Sequence, residues 1–252
     1  MNYYVDVHSN LLPGLAGLEN RALTETESEE RLAVFRQSNI KIAVAAPVFQ
    51  PTVRDAKGFL ALRDEKIAAV ERVAAAHAAA EQSTLPLRIV RGAVLPLQYC
   101  LDNPRTLSQF SLGESDYILI DLPRTAITED FCGALSRLRI VSGLCPVAVD
   151  IDRYFDQWSP EDWITLRQTG MLLQISVNGL IQQKYRKLSL YLLANQYAHF
   201  IATGSRQIEE PLRFAETMRM VQRSLPAQLY RRIKNNAGML LSNAEPSAFY
   251  EA

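Results

Sequence analysis

Short apolar runs alternate with longer stretches of helical periodicity along the chain. Seven runs rich in β-branched, aliphatic or aromatic residues predict β-strands: 3–7, 40–46, 88–94, 117–122, 146–150, 172–176 and 198–203. Several of these runs are almost entirely apolar, which is typical of strands covered on both faces. The pattern therefore predicts a sheet that is buried on both sides.

Helical segments lie between these runs, and two of them begin with clear signals. Thr24 and Glu27 have the spacing of a capping box. Ser159 is followed by Pro160 and two acids, the expected sequence of a helix start. Helices between successive strands imply parallel pairing, so the fold class is α/β. Because no linker or change in composition divides residues 1–252, we predict a single domain, most simply one closed or nearly closed barrel.

Composition narrows the functional classes. Of 252 residues, 48% are hydrophobic, and 27 basic residues balance 27 acidic ones. A neutral chain gives no support to bulk attraction for nucleic acid or an anionic membrane. No apolar run reaches the roughly 20 residues that span a bilayer, and the first residues lack a signal-peptide pattern. We therefore expect a cytoplasmic protein without membrane insertion. The three widely spaced cysteines match no zinc motif, and we expect buried free thiols.

Polar side chains stand where several predicted strands end. The stretch DVHSNLLPG places Asp6, His8 and Asn10 at alternate positions, which face one side of a strand. Asp121 and Asp150 end two further strands. In βα barrels the active site lies at the carboxyl ends of the strands. Carboxylates and imidazole suit a divalent ion, so Asp6, His8, Asp121 and Asp150 are candidate metal ligands.

Two arginines follow the same strand ends. Arg153 comes three residues after Asp150, and Arg206 follows the last predicted strand. A guanidinium binds carboxylates and phosphates through paired hydrogen bonds. Both arginines are therefore candidates for contact with an anion such as phosphate.

The order of these segments resembles the manganese-dependent tyrosine phosphatases of capsule and exopolysaccharide biosynthesis, which belong to the PHP (polymerase and histidinol phosphatase) superfamily. DVHSNLLPG is similar to the family's DxHxHxLPG, GMLLQISVNGLI to its segment around LLQVNAGSL, and AHFIATGSR to VHFIASDAH. The similarity extends over roughly residues 3–245. It implies the PHP fold, a single distorted (β/α)7 TIM-like barrel.

The sequence departs from the family at the residues that the resemblance implies are metal ligands. Asn10 stands for the family's second histidine, Val48 for the histidine of TPH, and Val94 for the glutamate of GAE. The remaining differences are the following: Leu15-Ala16-Gly17 stands where the family has an aspartate pair, Asp121 replaces the glutamate of LIELP, Asp150 the histidine of HPERY, and Gly204 and Arg206 the aspartate and histidine of SDAH. Of the implied ligands only His8 is unchanged.

Valine and glycine offer no donor to a metal, so we hypothesise that the three-metal cluster and the phosphatase activity are lost. One divalent ion (Mn, Zn or Fe) at the remaining donors stays open as an alternative. If the metal cluster is lost, Arg206 would either occupy the space of a metal ion and pair with Asp121 or Asp150, or bind an anion. Arg153, at the arginine of HPERY, would either contact an anion or form a salt bridge with Asp150 or Asp152.

Three functional readings follow from the resemblance. The first is a degenerate, non-catalytic homologue with a binding or regulatory role, holding a bacterial tyrosine kinase tail or a phosphotyrosine protein of polysaccharide synthesis. The second is an active phosphoesterase that uses a reduced metal site with His8, Asp121, Asp150 and Arg153. The third is a structural subunit of a homo-oligomer. None of them involves nucleic acid, because basic and aromatic residues do not interleave.

Overall fold

The computed structural model describes residues 3–18, 21–80, 87–204 and 210–250. Within these ranges the strands are β1 (Tyr4–Ser9), β2 (Ile40–Ala45), β3 (Arg88–Arg91), β4 (Val94–Pro96), β5 (Tyr117–Asp121), β6 (Cys145–Ala148), β7 (Leu172–Ser176) and β8 (Phe200–Ala202). The α-helices are α1 (Glu25–Gln37), α2 (Ala56–Ala80), α3 (Leu97–Asp102), α4 (Glu129–Ser142), α5 (Pro160–Gln168), α6 (Val177–Ile181), α7 (Gln183–Ala194), α8 (Glu210–Ser224) and α9 (Ala227–Leu241). None of the helices in these ranges is long and apolar enough to cross a membrane.

The helix starts follow the predicted capping signals. The Thr24 hydroxyl accepts from the Glu27 backbone N–H, and the Glu27 carboxylate accepts from the Thr24 backbone N–H. Ser159 and Asp162 form the same reciprocal pair at α5. Two backbone N–H groups without partners inside each helix are satisfied in this way. Both predicted helix starts are therefore confirmed.

The strands are parallel and form two sheets, in the orders β1-β2-β3 and β4-β5-β6-β7-β8. Alternate residues of β5 belong to two different apolar clusters: Ile118 and Ile120 to one, Tyr117 and Leu119 to the other. Both faces of this strand are therefore buried, as its apolar sequence predicts.

The predicted strand 88–94 is divided into β3 and β4, which lie in different sheets. The division falls at Gly92, where a side chain would meet Val44 Cγ1 at 2.6 Å and Leu112 Cδ2 at 2.9 Å. After this close approach the chain turns to pair with β5. An isolated glycine within a strand indicates a bulge or a close approach, but the residues that crowd Gly92 are distant in sequence. The sequence therefore predicts one strand where the structure has two.

Backbone contacts join the two sheets on both sides. Val94 in β4 forms a parallel bridge with Val48 just after β2. On the other side, the Gly204 N–H donates to the His8 carbonyl at 3.1 Å. The structure thus has an α/β fold with parallel sheets. It does not show a closed barrel among the described residues, and the count of seven βα units stays a prediction.

The cysteines are not joined by disulfides. Cys100 and Cys145 are buried and Cys132 is half-buried. Burial raises the pKa of both the Cys100 and the Cys145 thiol to about 12. Neither buried thiol is a nucleophile at neutral pH, because the reactive species is the thiolate.

Candidate functional site

The carboxylate of Asp6 lies at the centre of a buried hydrogen-bond network at the ends of β1 and β8. Its Oδ1 accepts from the Thr203 backbone N–H at 3.1 Å, and its Oδ2 accepts from the Thr203 hydroxyl at 2.6 Å. The His8 backbone N–H also donates to Oδ1, at 3.3 Å. Asp6 is completely buried. Both of its oxygens therefore have protein donors.

The His8 side chain faces Asp150, just after β6, and Gln174, in the middle of β7. Its Nδ1 lies 3.4 Å from Asp150 Oδ1 and 3.3 Å from Gln174 Oε1. Because both neighbours are acceptors, this nitrogen carries a proton. Gln174 binds Asp150 twice: its Nε2 donates to Asp150 Oδ1 at 3.2 Å, and its Oε1 accepts from the Asp150 backbone N–H at 2.9 Å. The three side chains form one buried cluster.

Burial and neighbouring charge set the proton affinities of this cluster. Burial raises the pKa of Asp6 to about 6, although the hydrogen bonds from Thr203 and His8 oppose the rise. Burial alone would lower the pKa of His8. The negative charge and hydrogen bond of Asp150, together with Asp6, outweigh this effect and raise the pKa of His8 above its ordinary value. The site therefore retains protons more strongly than the same residues in water.

A second buried histidine, His199, shows the effect of burial on the pKa of an imidazole. His199 just before β8 accepts from the Leu173 backbone N–H at Nδ1, at 3.1 Å. Burial, and secondarily the charges of Arg167 and Arg232, lower the pKa of His199 to about 3. His199 is thus a neutral, packed side chain.

Asp150 and Gly204 approach each other closely at the site. Asp150 has the left-handed φ of 47°, and Gly204 has a φ of 64°. A side chain at 204 would begin 2.9 Å from both carboxylate oxygens of Asp150. The carboxylate of Asp150 therefore occupies the space that any larger residue at 204 would need.

Arg153 and Asp121 form a separate pair. The Arg153 guanidinium donates to the Asp121 carboxylate and, at 3.2 Å, to the Tyr154 hydroxyl. The side chains of Arg153 and Asp121 are 16% and 30% exposed, respectively. Burial alone would lower the pKa of Arg153. The charges of Asp121, Tyr154 and Asp150 outweigh this effect and raise the pKa above its ordinary value. Arg153 is thus a cation at the edge of the site.

The structure separates some of the predicted site residues. Arg153 forms its salt bridge with Asp121 rather than with Asp150 or Asp152, the partners expected from the sequence. Asp152 instead accepts from the Ser176 backbone N–H and hydroxyl, both at 2.8 Å. Arg206 lies outside the described residues.

Asn10 does not extend the polar row of β1, because the strand ends at Ser9 and its register is already interrupted between Asp6 and Ser9. Its amide lies against Gly17, where a side chain would approach Nδ2 to 2.7 Å. Gln174 and Thr203 were not among the predicted site residues. The only available signal was a glutamine within the apolar run LLQIS.

A three-metal cluster does not fit the described part of the site. Several divalent charges in a small space need many anionic or imidazole donors. The carboxylates of Asp6 and Asp121 are held by Thr203 and Arg153, and Val94 is fully buried among apolar side chains. Within residues 3–18, 21–80, 87–204 and 210–250, no group of three or more His, Cys, Asp or Glu is placed to hold a metal ion.

The family model "Capsular polysaccharide synthesis, CpsB/CapC" matches residues 4–242. The chain belongs to this family. The resemblance noted from DVHSNLLPG and the later segments is therefore confirmed. No curated protein sequence matches the chain.

Several solved structures share this fold. A chain from the crystal structures of YwqE from Bacillus subtilis and CpsB from Streptococcus pneumoniae, which are metal-dependent tyrosine phosphatases, has a TM-score of 0.73 at 20% identity, over 96% of this chain and 95% of that one. A lactonase from Listeria monocytogenes has a TM-score of 0.52 at 9% identity, over 96% and 95%. An amidohydrolase from Mycoplasma synoviae has a TM-score of 0.50 at 10% identity, over 98% and 91%. At these identities the similarity establishes the fold alone.

Proposed function

We propose that this chain is a non-catalytic member of the CpsB/CapC family with a binding or regulatory role in capsular polysaccharide synthesis. The observation that carries the proposal is the network of Asp6 with Thr203 and of His8 with Asp150 and Gln174. In this network the side chains that remain as possible metal ligands form hydrogen bonds within the protein instead. Buried carboxylates without a metal need such partners, because an unpaired buried charge is costly.

We also propose that the two sheets form one distorted (β/α)7 TIM-like barrel in a single domain of a cytoplasmic protein. The bridge between Val48 and Val94 and the hydrogen bond from Gly204 to His8 support this arrangement, because they join the sheets on opposite sides. On this view β3 and β4 are two parts of one interrupted barrel strand.

The proposed ligand is a tyrosine-bearing segment, such as a tyrosine kinase tail or a phosphotyrosine protein. Membership of the family and the partly exposed guanidinium of Arg153 support it. A phosphate that reaches Arg153 would exchange the Asp121 carboxylate for a doubly charged acceptor, which guanidinium groups bind well. Phosphorylation should therefore strengthen binding through Arg153.

Isothermal titration with a tyrosine peptide and its phosphorylated form tests this role. We expect both to bind, the phosphorylated form about tenfold more tightly, and Arg153→Gln to remove that difference. Arg105→Gln, at an exposed arginine outside the site, is the matched control and should leave both affinities unchanged. If neither peptide binds, the proposed role is wrong.

A second function, a phosphoesterase with one metal ion, is favoured by the closeness of His8 and Asp150. On this alternative Asp6, His8, Asp121 and Asp150 would supply the ligands. Hydrolysis of phosphotyrosine that needs added Mn²⁺, Zn²⁺ or Fe²⁺, and that His8→Ala and Asp150→Asn each abolish, would establish it. Absence of metal-dependent hydrolysis would support the non-catalytic role.

A further inference from the structure

The outer face of α4 exposes large apolar side chains. Ile140 is 80% exposed and the adjacent Val141 is 51% exposed. A groove of about 340 Å³ lies beside them, lined by Leu101, Pro104, Ala134, Arg137, Leu138 and Val141. Neighbouring exposed apolar side chains beside an apolar groove are typical of protein–protein contact surfaces.

Charged residues on the same face are arranged in a definite order. Glu129 and Asp130 lie in the first turn of α4, and Arg137 is exposed two turns later. With 3.6 residues per turn, Asp130, Arg137 and Val141 fall on one side of the helix. The face is therefore acidic at its start and basic and apolar toward its end.

Such a face is complementary to itself when two copies run antiparallel. In a two-fold interface each residue contacts its counterpart reciprocally, so Asp130 of each copy would lie opposite Arg137 of the other. The midpoint between these residues falls at Gly133 and Ala134. The Arg137 guanidinium lies over Gly133, where a side chain would begin 3.4 Å from its Nη1. Ile140 would then lie opposite Ile127 of the second copy.

We propose that a second copy of this chain covers this face, forming a two-fold dimer through antiparallel α4 helices. The groove beside Val141 then faces residues 124–128 of the second copy, which precede its α4. The candidate sites of the two copies point in opposite directions, so each remains accessible to a separate ligand. The proposal does not depend on the proposed function.

Sedimentation analysis of the full chain over the micromolar range tests the dimer. The unaltered chain should sediment as a dimer, and Ile140→Lys should raise the dissociation constant at least about tenfold. Val53→Lys is the matched control, because Val53 is 74% exposed on a loop outside this face, and it should leave the dimer intact. A monomeric unaltered chain, or a dimer unaffected by Ile140→Lys, would overturn the proposal.

Charge exchange separates a specific interface from a folding defect. Arg137→Glu and Asp130→Arg should each weaken self-association, because each places like charges opposite one another across the two-fold axis. When the two variants are mixed in equal amounts, a mixed dimer again places opposite charges together at both contacts between positions 130 and 137. Dimers should therefore reappear. Circular dichroism verifies that each variant is folded. A mixture that associates no better than its separate components would reject the antiparallel arrangement.

Discussion

At the scale of single residues, burial controls the charge of Asp6. The pKa of Asp6 is raised from 3.8 to about 6, so the folded protein holds this proton more tightly than the unfolded chain. The resulting stabilisation is complete below pH 3.8 and is lost as the pH rises through 6. The stabilisation that protonated Asp6 contributes at low pH is about 3 kcal/mol. The raised pKa of His8 acts in the same direction, with its contribution complete below pH 6.5 and lost above it.

Asp6→Asn should therefore flatten the decline in the free energy of unfolding between pH 3.8 and 6. The amide oxygen can still accept from the N–H groups of Thr203 and His8. Urea unfolding at several pH values measures the effect. An unchanged pH dependence in Asp6→Asn would contradict the assignment of this titration to Asp6.

Gly204→Ala tests the close contact with Asp150. The substitution places a side chain at a φ of 64° and 2.9 Å from both carboxylate oxygens. Gly143→Ala has a similar φ of 70° but meets nothing within 4 Å, so it measures the backbone cost alone, about 1 kcal/mol. We expect Gly204→Ala to lower the free energy of unfolding by roughly 1–3 kcal/mol more than this control does. Equal losses would mean that Asp150 moves aside freely.

Residue identity predicts only part of the site. Asp6, His8 and Asp150 are recognisable because acids and histidine end apolar strands. The structure places the Asp6 carboxylate on the His8 backbone N–H and the Asp150 carboxylate beside the His8 ring. The contributions of Gln174 and Thr203 are not predictable, because a single amide within a strand or a single hydroxyl just after one has no characteristic spacing. The partner of Arg153 depends on the separation of strand ends in space, which the sequence does not specify.

At the scale of elements, local hydrogen bonds are the most predictable feature. The capping boxes of α1 and α5 involve residues three positions apart, so the sequence contains the complete interaction. The division between β3 and β4 depends instead on Val44 and Leu112, which are distant in sequence from Gly92. The sequence therefore predicts helix starts better than strand breaks.

Ser159→Ala should destabilise the protein by about 1 kcal/mol, because it removes the hydroxyl that accepts from the Asp162 backbone N–H. Thr165→Ala is a matched control on the same helix. Its hydroxyl bonds to the Glu161 carbonyl at an exposed position, and its loss should change stability by less than about 0.5 kcal/mol. Chemical denaturation compares the two. Equal losses of stability would mean that the Ser159 hydroxyl does not stabilise the start of α5.

At the scale of the whole molecule, the family and the parallel α/β architecture are evident from the sequence, while the closure of the sheets is not. Motifs along most of the chain carry the resemblance, and the family model covers residues 4–242. How β1-β2-β3 meets the other five strands depends on contacts such as Val48 with Val94. A parallel strand order follows from alternating strands and helices, but the way two sheets join does not.

The central proposal is that hydrogen bonds among the chain's own side chains take the place of the metal cluster that the family resemblance implies. Elemental analysis tests it most directly, on chain incubated with manganese and purified without chelating resin. We expect less than one equivalent of manganese, zinc or iron per chain, because Thr203, Gln174 and Arg153 already engage the available donors. One or more metal ions retained per chain would contradict it.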